Sequence, residues 1–300
     1  MGGLETGLVA FGALLGLLAM GVPVAFALGL VAAAGMYLTV GATFLFTTFQ
    51  TTPYTLTSDY TFVVVPMFVL MGGIAGRAGI IADLYTAAHY MLDRIKGSLL
   101  MATIIAQAGF AAASGSTVVA SSVFTRMALP EMLRFGYNGG IAGGCIAAAG
   151  TLAGLIPPSI AMVLYAMLTT QPVGELLIAG IIPGVLTAGA YMIGVRVMLI
   201  FRPEWAPPSK MTITWGMRGR AMARVWSVLL LMTLVMGGIY AGYYPPSAAG
   251  AVGAAGALVI ALSMRRIGGR EIWDSLLEAA RISAMIFAIV IAGLIFSRFL

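Results

Sequence analysis

The sequence predicts an all-α integral membrane protein with several crossing helices, one re-entrant hairpin and one broken helix. Of its 300 residues, 61% are hydrophobic and 9% are charged, whereas soluble domains carry about 25% charged residues. The charges separate long uncharged runs, most of them near or above the roughly 20 residues that one helical crossing needs. A β-barrel would instead show short alternating strands, so helices are the expected spanning elements. The uncharged runs cover residues 6–58, 60–76, 97–125, 135–174, 176–195, 225–264 and 282–297.

The N-terminal part predicts three crossings and a connecting arm. The first run holds two crossings, separated by a glycine–proline hinge, MGVPVAFALG, at 20–29. The polar stretch TTFQTTPYTLTSDY at 47–60 is expected to lie along the outer interface as an arm. The run 60–76 then supplies the next crossing. Counting crossings from Arg77 places the N-terminus outside.

The run 97–125 predicts a re-entrant hairpin. Two full crossings would need about 40 residues, and a single crossing would put one basic flank outside, since Arg94 and Lys96 precede the run and Arg126 and Arg134 follow it. A segment that goes halfway in and returns on the same side fits both its length and its flanks. Its tip is expected at the polar turn SGST, residues 114–117.

The run 135–174 predicts a broken helix. It must cross once, yet it carries GTLAGLIPPS at 150–159, where Pro157 and Pro158 cannot donate backbone hydrogen bonds. Non-helical backbone survives at membrane depth only where protein or a polar cavity covers it. Two such segments, the hairpin tip and this break, therefore predict a binding site between them.

The second half predicts further crossings between basic loops. Two loops, 202–224 and 265–270, carry clustered basic residues that place them in the cytoplasm by the positive-inside rule, and their position in connections argues against nucleic-acid binding. Residues 176–195 then cross inward, 225–242 outward and 247–264 back. Residues 271–281 predict an interfacial amphipathic helix, and residue 282 onward crosses out. The basic residues of these loops are Arg202, Lys210, Arg218, Arg220, Arg224, Arg265, Arg266 and Arg270.

A second hinge predicts an inverted-topology repeat. GYYPPSAAG at 242–250 matches the first hinge in pattern, but the charge argument places it on the opposite side of the membrane. The offset between the hinges puts a second hairpin beyond Leu300. The second repeat is therefore expected to be truncated, and the 300-residue chain is expected to be inactive alone.

The predicted organisation has four parts. Residues 1–96 form the scaffold helices and interfacial arm of the first repeat, and residues 97–174 form the transport-domain hairpin and broken helix. Residues 175–224 hold the inward helix and the cytoplasmic basic loop. Residues 225–300 begin the second repeat, whose scaffold helices are incomplete.

Motifs along nearly the whole chain resemble the large membrane (M, DctM-like) subunit of the tripartite ATP-independent periplasmic (TRAP) transporters. The serine-rich tip, the paired prolines and AGIIPG occur in the order that this family shows. The matching stretches are MGVPVAFALG, VVPMFVLMGGIAGRAGI (64–80), AAASGSTVVASS, RMALPEMLRFGYNGGIAGG (126–144), GTLAGLIPPSIAMVLYAMLT (150–169), LLIAGIIPGVL (176–186) and GGIYAGYYPPSAAGAVGA (237–254).

The resemblance implies an elevator-type symporter of organic acid anions such as dicarboxylates or sialic acids, coupled to Na⁺, in the bacterial inner membrane with a periplasmic N-terminus. It also implies three kinds of partner: a small four-helix membrane (Q) subunit, a periplasmic substrate-binding protein and the carboxylate substrate, all at the lipid bilayer. The implied sodium residues are Ser114, Gly115, Ser116, Thr117, Gly150, Thr151, Leu155, Ile156 and Pro157. The implied substrate residues are Ser116, Thr117, Pro158 and Ser159.

The residues themselves favour sodium over proton coupling. Backbone carbonyls of an unwound helix and serine or threonine hydroxyls are suitable sodium ligands. A proton relay needs titratable groups at depth, and neither 97–125 nor 135–174 contains Asp, Glu or His. Ala153, where the family more often has glycine, leaves the direction of the carbonyls in the break open.

Two other functions remain open at this point. One is a stand-alone sodium/anion symporter of related hairpin architecture that needs no binding protein. The other is an intramembrane enzyme with a serine nucleophile, Ser114, Ser116 or Ser121, which would need a base. His89 and Lys96 are the nearest candidates, and both are expected at the surface, so a transporter is predicted rather than an enzyme.

Overall fold

The computed structural model describes residues 3–207 and 213–300, and all regular secondary structure in these ranges is helical, with no β-strand. Lys210, predicted in the cytoplasmic loop, lies outside the described residues. The α-helices are α1 (Gly3–Ala19), α2 (Val24–Thr39), α3 (Ala42–Ser58), α4 (Val64–Arg77), α5 (Ile80–Leu92), α6 (Ser98–Ser114), α7 (Thr117–Arg134), α8 (Gly139–Gly150), α9 (Ile160–Leu168), α10 (Val173–Phe201), α11 (Trp215–Arg224), α12 (Trp226–Met232), α13 (Gly238–Tyr240), α14 (Pro246–Ser263) and α15 (Gly269–Phe299). Short 3₁₀ segments cover Tyr60–Val63, Thr151–Gly154 and Pro203–Trp205, and a π-helical turn covers Thr233–Gly237.

Several helices match the dimensions of a bilayer. Five segments in the described residues are long and apolar enough to cross a membrane, and shorter apolar helices, among them α6, accompany them. A helix needs about 20 apolar residues for one crossing. The all-helical, multi-pass membrane fold predicted from composition is thereby confirmed. The five segments are Tyr60–Arg77, Val173–Phe201, Trp215–Tyr240, Pro246–Ser263 and Gly269–Phe299.

The chain divides into two compact units. The first comprises Met1–Phe62 and Ala280–Leu300. In its core α1 packs on α2 through small and branched side chains, with the aromatic rings of the last turns of α15 beside them. The buried residues of this core are Ala10, Leu14, Ala27 and Val31.

The second unit, Val63–Ala279, contains the hairpin and the broken helix. Helix α4 packs on α14, α5 packs on α6, and the two hairpin helices α6 and α7 both contact α8. The side chains of Phe68, Phe110 and Phe124 are completely or almost completely buried there. The hairpin is therefore surrounded by other helices, as the requirement to cover non-helical backbone at membrane depth demands.

The two predicted hinges have the same local conformation. Gly21 lies between α1 and α2 and Gly242 between α13 and α14, with φ values of +81° and +74°. In each hinge a proline follows within four residues, just before or at the start of the next helix, where its missing N–H costs nothing. The repeated hinge is confirmed as a local structure, and the inverted orientation of the two halves stays a prediction.

Three predicted boundaries differ from the structure. Residues 215–224 of the predicted basic loop form α11, and most of the 47–60 arm belongs to helix α3. The interfacial helix predicted at 271–281 is not a separate element, because it continues without interruption into the crossing as α15. No glycine or proline lies between Arg270 and Ala292 to end a helix there, so the change from polar to apolar composition does not break it.

Basic loop residues pair with two aspartates on or next to α5. Arg218 Nη2 lies 2.6 Å from Asp93 Oδ1, and Arg266 contacts Asp83, which Arg224 also approaches at 3.7 Å. These five residues are here called the α5 ionic cluster. The arginines that predicted a cytoplasmic side therefore also fasten α11 and the loop before α15 to α5.

Candidate functional site

The hairpin tip is built by a glycine and a capping serine. Helix α6 ends at Ser114, Gly115 turns the chain with φ +60°, and Ser116 caps α7 by accepting a hydrogen bond from the Val119 N–H at 3.4 Å. A positive φ is strained for residues with a Cβ. A Cβ on Gly115 would also lie 2.5 Å from the carbonyl oxygen of Pro158.

The broken helix is interrupted at residues 150–159, as the sequence predicts. Helix α8 ends at Gly150, a 3₁₀ turn follows to Gly154, and regular structure resumes at Ile160 in α9. Ser159 joins the two halves, since its hydroxyl donates to Gly154 O at 2.8 Å and accepts from the Met162 N–H at 3.3 Å. The Pro157–Pro158 peptide bond is cis.

The tip and the break meet at three successive levels. At the first, the Ile160 N–H donates to Gly115 O at 3.0 Å. At the second, a Cβ on Gly154 would lie 3.5 Å from Thr117 Cγ2, and at the third a Cβ on Gly150 would overlap Ser121 Oγ. Thr117 and Ser121 are four residues apart and share one face of α7. The prediction that the two interrupted segments meet is confirmed.

Not every predicted sodium residue has its side chain between the tip and the break. Ser114 is fully buried: its Oγ accepts from the Ser116 N–H of the tip at 3.5 Å, while its Cβ lies against Gly72 of α4. The Thr151 hydroxyl donates to Ala148 O and lies 3.0 Å from Tyr191 Oη of α10. Leu155 and Ile156 lie against Gly180 and Gly184 of α10. The junction therefore joins residues 115–121 mainly to 150, 154 and 158–160, and the ligand assignment stays a prediction.

Four helix ends meet at this junction. The C-terminal ends of α6 and α8 bring backbone carbonyls there, and the N-terminal ends of α7 and α9 bring N–H groups. Helix C-termini favour cations and N-termini favour anions, and uncharged membrane sites use both. No group of three His, Cys, Asp or Glu side chains that could hold a metal occurs within the described ranges. The oxygens that these helix ends and the hydroxyls of Thr117 and Ser121 bring near the junction are neutral.

Residues 11–300 match the family model described as "Tripartite ATP-independent periplasmic transporter, DctM component". The chain belongs to the DctM family. The predicted family resemblance is thereby confirmed.

Curated DctM relatives align with most of the chain. It is 34% identical over 242 residues to the C4-dicarboxylate TRAP transporter large permease protein of Pseudomonas aeruginosa, covering 80% of this chain and 56% of that protein. Its identity is 32% over 314 residues to the corresponding protein of Rhodobacter capsulatus, covering 97% and 68%. It is 30% identical over 292 residues to the sialic acid TRAP transporter large permease protein of Vibrio cholerae, covering 95% and 66%. The chain thus spans about half to two thirds of the length of these relatives.

The relatives reported above are named as permeases, not as enzymes. The structure also corrects one premise of the enzyme hypothesis. His89 was predicted at the surface, but it is 2% exposed, within α5, and neither ring nitrogen has a hydrogen-bond partner among the described residues. Burial lowers the pKa of His89, and neither ring nitrogen is hydrogen-bonded to a serine in the described part of the chain.

Sequence reasoning missed two neighbours of this DctM junction. Tyr191 of α10 pairs with Thr151, and Gln107 of α6 lies beside Gly150. Gln107 carries the one amide side chain in the uncharged run 97–125. That isolation was the available signal, whereas nothing around Tyr191 marks it.

Proposed function

We propose that the chain is the permease part of a sodium-coupled secondary transporter for an organic acid anion. The observation that carries this proposal is the uncharged junction at which two helix C-termini and two helix N-termini converge. Carbonyl and hydroxyl oxygens would bind Na⁺, and the N-termini of α7 and α9 would bind a substrate carboxylate. The predicted residues for the ion are those of the tip, 114–117, and Gly150, Thr151, Leu155, Ile156 and Pro157 of the break. Ser116, Thr117, Pro158 and Ser159 are those for the substrate.

The proposal extends to substrate, partners and membrane. The relatives named above are C4-dicarboxylate and sialic acid permeases, so a carboxylate of one of these classes is the substrate to test first. The partners would be a small Q subunit and a periplasmic binding protein, in the inner membrane. Movement of the hairpin and broken helix together, as an elevator, would carry ion and substrate across.

Thr117 offers the sharpest test of the ion site, because its side chain lies beside Gly154 in the break. The permease containing this chain, with its Q subunit and binding protein, is reconstituted in proteoliposomes, and uptake of a labelled dicarboxylate or sialic acid is measured against sodium concentration. Ser114→Ala and Thr117→Ala should raise the half-saturating sodium concentration by roughly tenfold, the effect of about 1.4 kcal/mol of lost binding. Thr117→Ser should stay near wild type.

Thr125→Ala provides the matched control. Thr125 is on the same helix, is exposed, and donates to Ser121 O at 2.7 Å, so its loss should leave sodium dependence unchanged. Wild-type sodium dependence in both Ser114→Ala and Thr117→Ala would refute the site. Uptake without the binding protein would support a stand-alone symporter instead.

A further inference from the structure

Gln107 is a completely buried polar side chain between the hairpin and the broken helix. Its Nε2 donates to Ile146 O of α8 at 3.1 Å. Its Oε1 has no hydrogen-bond partner among the described residues. Buried polar atoms are nearly always paired, so this arrangement needs a functional or structural reason.

The position of that hydrogen bond on α8 is informative. Ile146 lies one turn before Gly150, the last residue of α8 before the 3₁₀ turn. The amide therefore holds the final turn of α8 at the point where regular helical hydrogen bonding ends. A displacement there would change the direction of every carbonyl in the break that follows.

Gln107 and Ser121 both face Gly150. A Cβ on Gly150 would lie 3.4 Å from Gln107 Oε1 and would overlap Ser121 Oγ. One residue of α6 and one of α7 thus contact the same backbone position of α8. Both helices of the hairpin therefore contact the broken helix at Gly150, in addition to the contact of the tip with residues 158–160.

We propose that Gln107 is a positioning residue for the cation site, which sets sodium affinity by holding the end of α8 against the hairpin. This inference rests on the proposed sodium coupling. Gln107 does not supply a ligand to the predicted site, since the residues assigned there lie at the tip and in the break. It acts through the orientation of the Gly150–Gly154 backbone.

The first test compares Gln107→Leu with Thr103→Val in the reconstituted permease. Thr103 is one turn away on α6, is also fully buried, and donates to Leu99 O of its own helix at 2.8 Å. Gln107→Leu should raise the half-saturating sodium concentration about tenfold, with the substrate KM at saturating sodium changed by less than about twofold. In detergent, NaCl should raise the Tm of Gln107→Leu less than that of wild type, relative to choline chloride. Thr103→Val should lower the Tm equally in both salts.

The second test uses Gln107→Glu and pH. Burial favours a protonated carboxyl group, which keeps a donor for Ile146 O, whereas the carboxylate has only acceptors. The variant should show near-wild-type sodium affinity at about pH 6 and lose it by about pH 8. Wild type should show no such change. This profile decides the question if Gln107→Leu fails to fold.

Three outcomes would overturn the inference. A wild-type sodium response in Gln107→Leu would exclude a positioning role, and so would an equal loss of sodium response in Thr103→Val, which would indicate general packing. A pH-independent Gln107→Glu would also exclude it. If wild type itself shows no sodium-dependent uptake or stabilisation, the proposed function fails first, and this inference fails with it.

Discussion

The hairpin junction and the α5 ionic cluster hold helices together by opposite means. At the junction no charged side chain takes part, and backbone meets backbone, as in the 3.0 Å hydrogen bond between Gly115 and Ile160. In the cluster, side chains with full charges pair, as in Arg218 and Asp93 at 2.6 Å. Both regions lie in the same compact unit.

Under the proposed function, the junction would bind an ion, whereas the cluster holds helices together. Neutral carbonyl dipoles are suited to such a site, because a transport site must bind its ion strongly enough to load it and weakly enough to release it. A fixed carboxylate at depth would bind more tightly, and it would titrate. The charged side chains of the cluster instead lie in and around α5. They attach to it α11 and the segment before α15, both of which the sequence predicts to be loops.

Gly115→Ala should have the largest effect, because it breaks the backbone contact at the tip. It adds a Cβ at φ +60° and 2.5 Å from Pro158 O, an atom of the backbone that cannot rotate away. Displacement of a site by about 1 Å can cost about 100-fold in rate. We expect at least that loss of sodium-dependent uptake in proteoliposomes. Gly21→Ala, at φ +81° in open space, is the control for backbone strain alone, and an equal loss there would contradict the contact argument.

Gly150→Ala should come next, and Ser121→Ala should partly restore it. The added methyl group overlaps Ser121 Oγ, whereas Ser121 Cβ would be 3.3 Å away, a tight but adjustable contact. We expect a roughly tenfold rise in half-saturating sodium for the single variant, equivalent to about 1.4 kcal/mol, and a smaller rise for the double variant. Gly143→Ala on the same helix meets nothing within 4 Å and should be silent. Absence of rescue would show that the two sites are not in direct contact.

Asp93→Asn tests the cluster, where stability should change and sodium dependence should not. It leaves the Arg218 guanidinium with 10% of its side chain exposed and without its carboxylate. Breaking a buried pair costs about 3–5 kcal/mol, whereas replacing both partners costs less. Thermal unfolding in detergent should therefore show a larger fall in Tm for Asp93→Asn than for Asp93→Asn/Arg218→Met. A changed sodium affinity in Asp93→Asn would show that the α5 ionic cluster also affects the ion site, contrary to the contrast between the two regions.

His89 should make the second unit less stable as the pH falls. Burial lowers its pKa, while the negative charge of Asp93 opposes part of that shift. Below the ordinary pKa near 6.5 the unfolded chain takes up a proton first. Stability is thus fully present above that pH and declines below it. The Tm of wild type should fall between about pH 7.5 and 5.5 by more than the Tm of His89→Leu, and parallel curves would exclude His89 as the cause.

Arg77→Gln should have the smallest effect. The Arg77–Glu278 pair, at 2.7 Å, is only about 70% buried on each side chain, and exposed or half-exposed pairs contribute roughly 0–1 kcal/mol. We expect a Tm shift of at most a few degrees, diminished at high salt. A fall as large as that of Asp93→Asn would show that exposure does not rank these ion pairs.

The sequence predicted the tip and the break because both rest on local chemistry. A glycine followed by a serine is typical of a helix end and a new N-cap, and two successive prolines remove two backbone donors from a helix. The meeting of the two segments followed from the need to cover unpaired backbone. The features that the sequence did not predict depend on tertiary packing. The burial of His89 and the ion pairs of α5 depend on which helices surround α5, and no pattern within α5 reports that.

The sequence also did not predict which residues of neighbouring helices face one another. That Ser121 faces Gly150, and that α10 rather than the hairpin receives Leu155 and Ile156, depends on rotations of whole helices. The continuity of α15 could not be predicted from composition. Residues 271–281 alternate polar and apolar side chains and residues 282–297 are uncharged, but a single helix runs through both.

Gly180 and Gly184 stand one turn apart on α10, and the break rests on them: a Cβ on Gly180 would lie 2.4 Å from Leu155 O, and one on Gly184 would lie 3.4 Å from Ile156 N. Other faces of the same helix expose Ile182, Val185 and Leu186. About 10 Å, the diameter of one helix, therefore lies between the break and this exposed apolar face. Any shift or rotation of α10 would act directly on the backbone of the break.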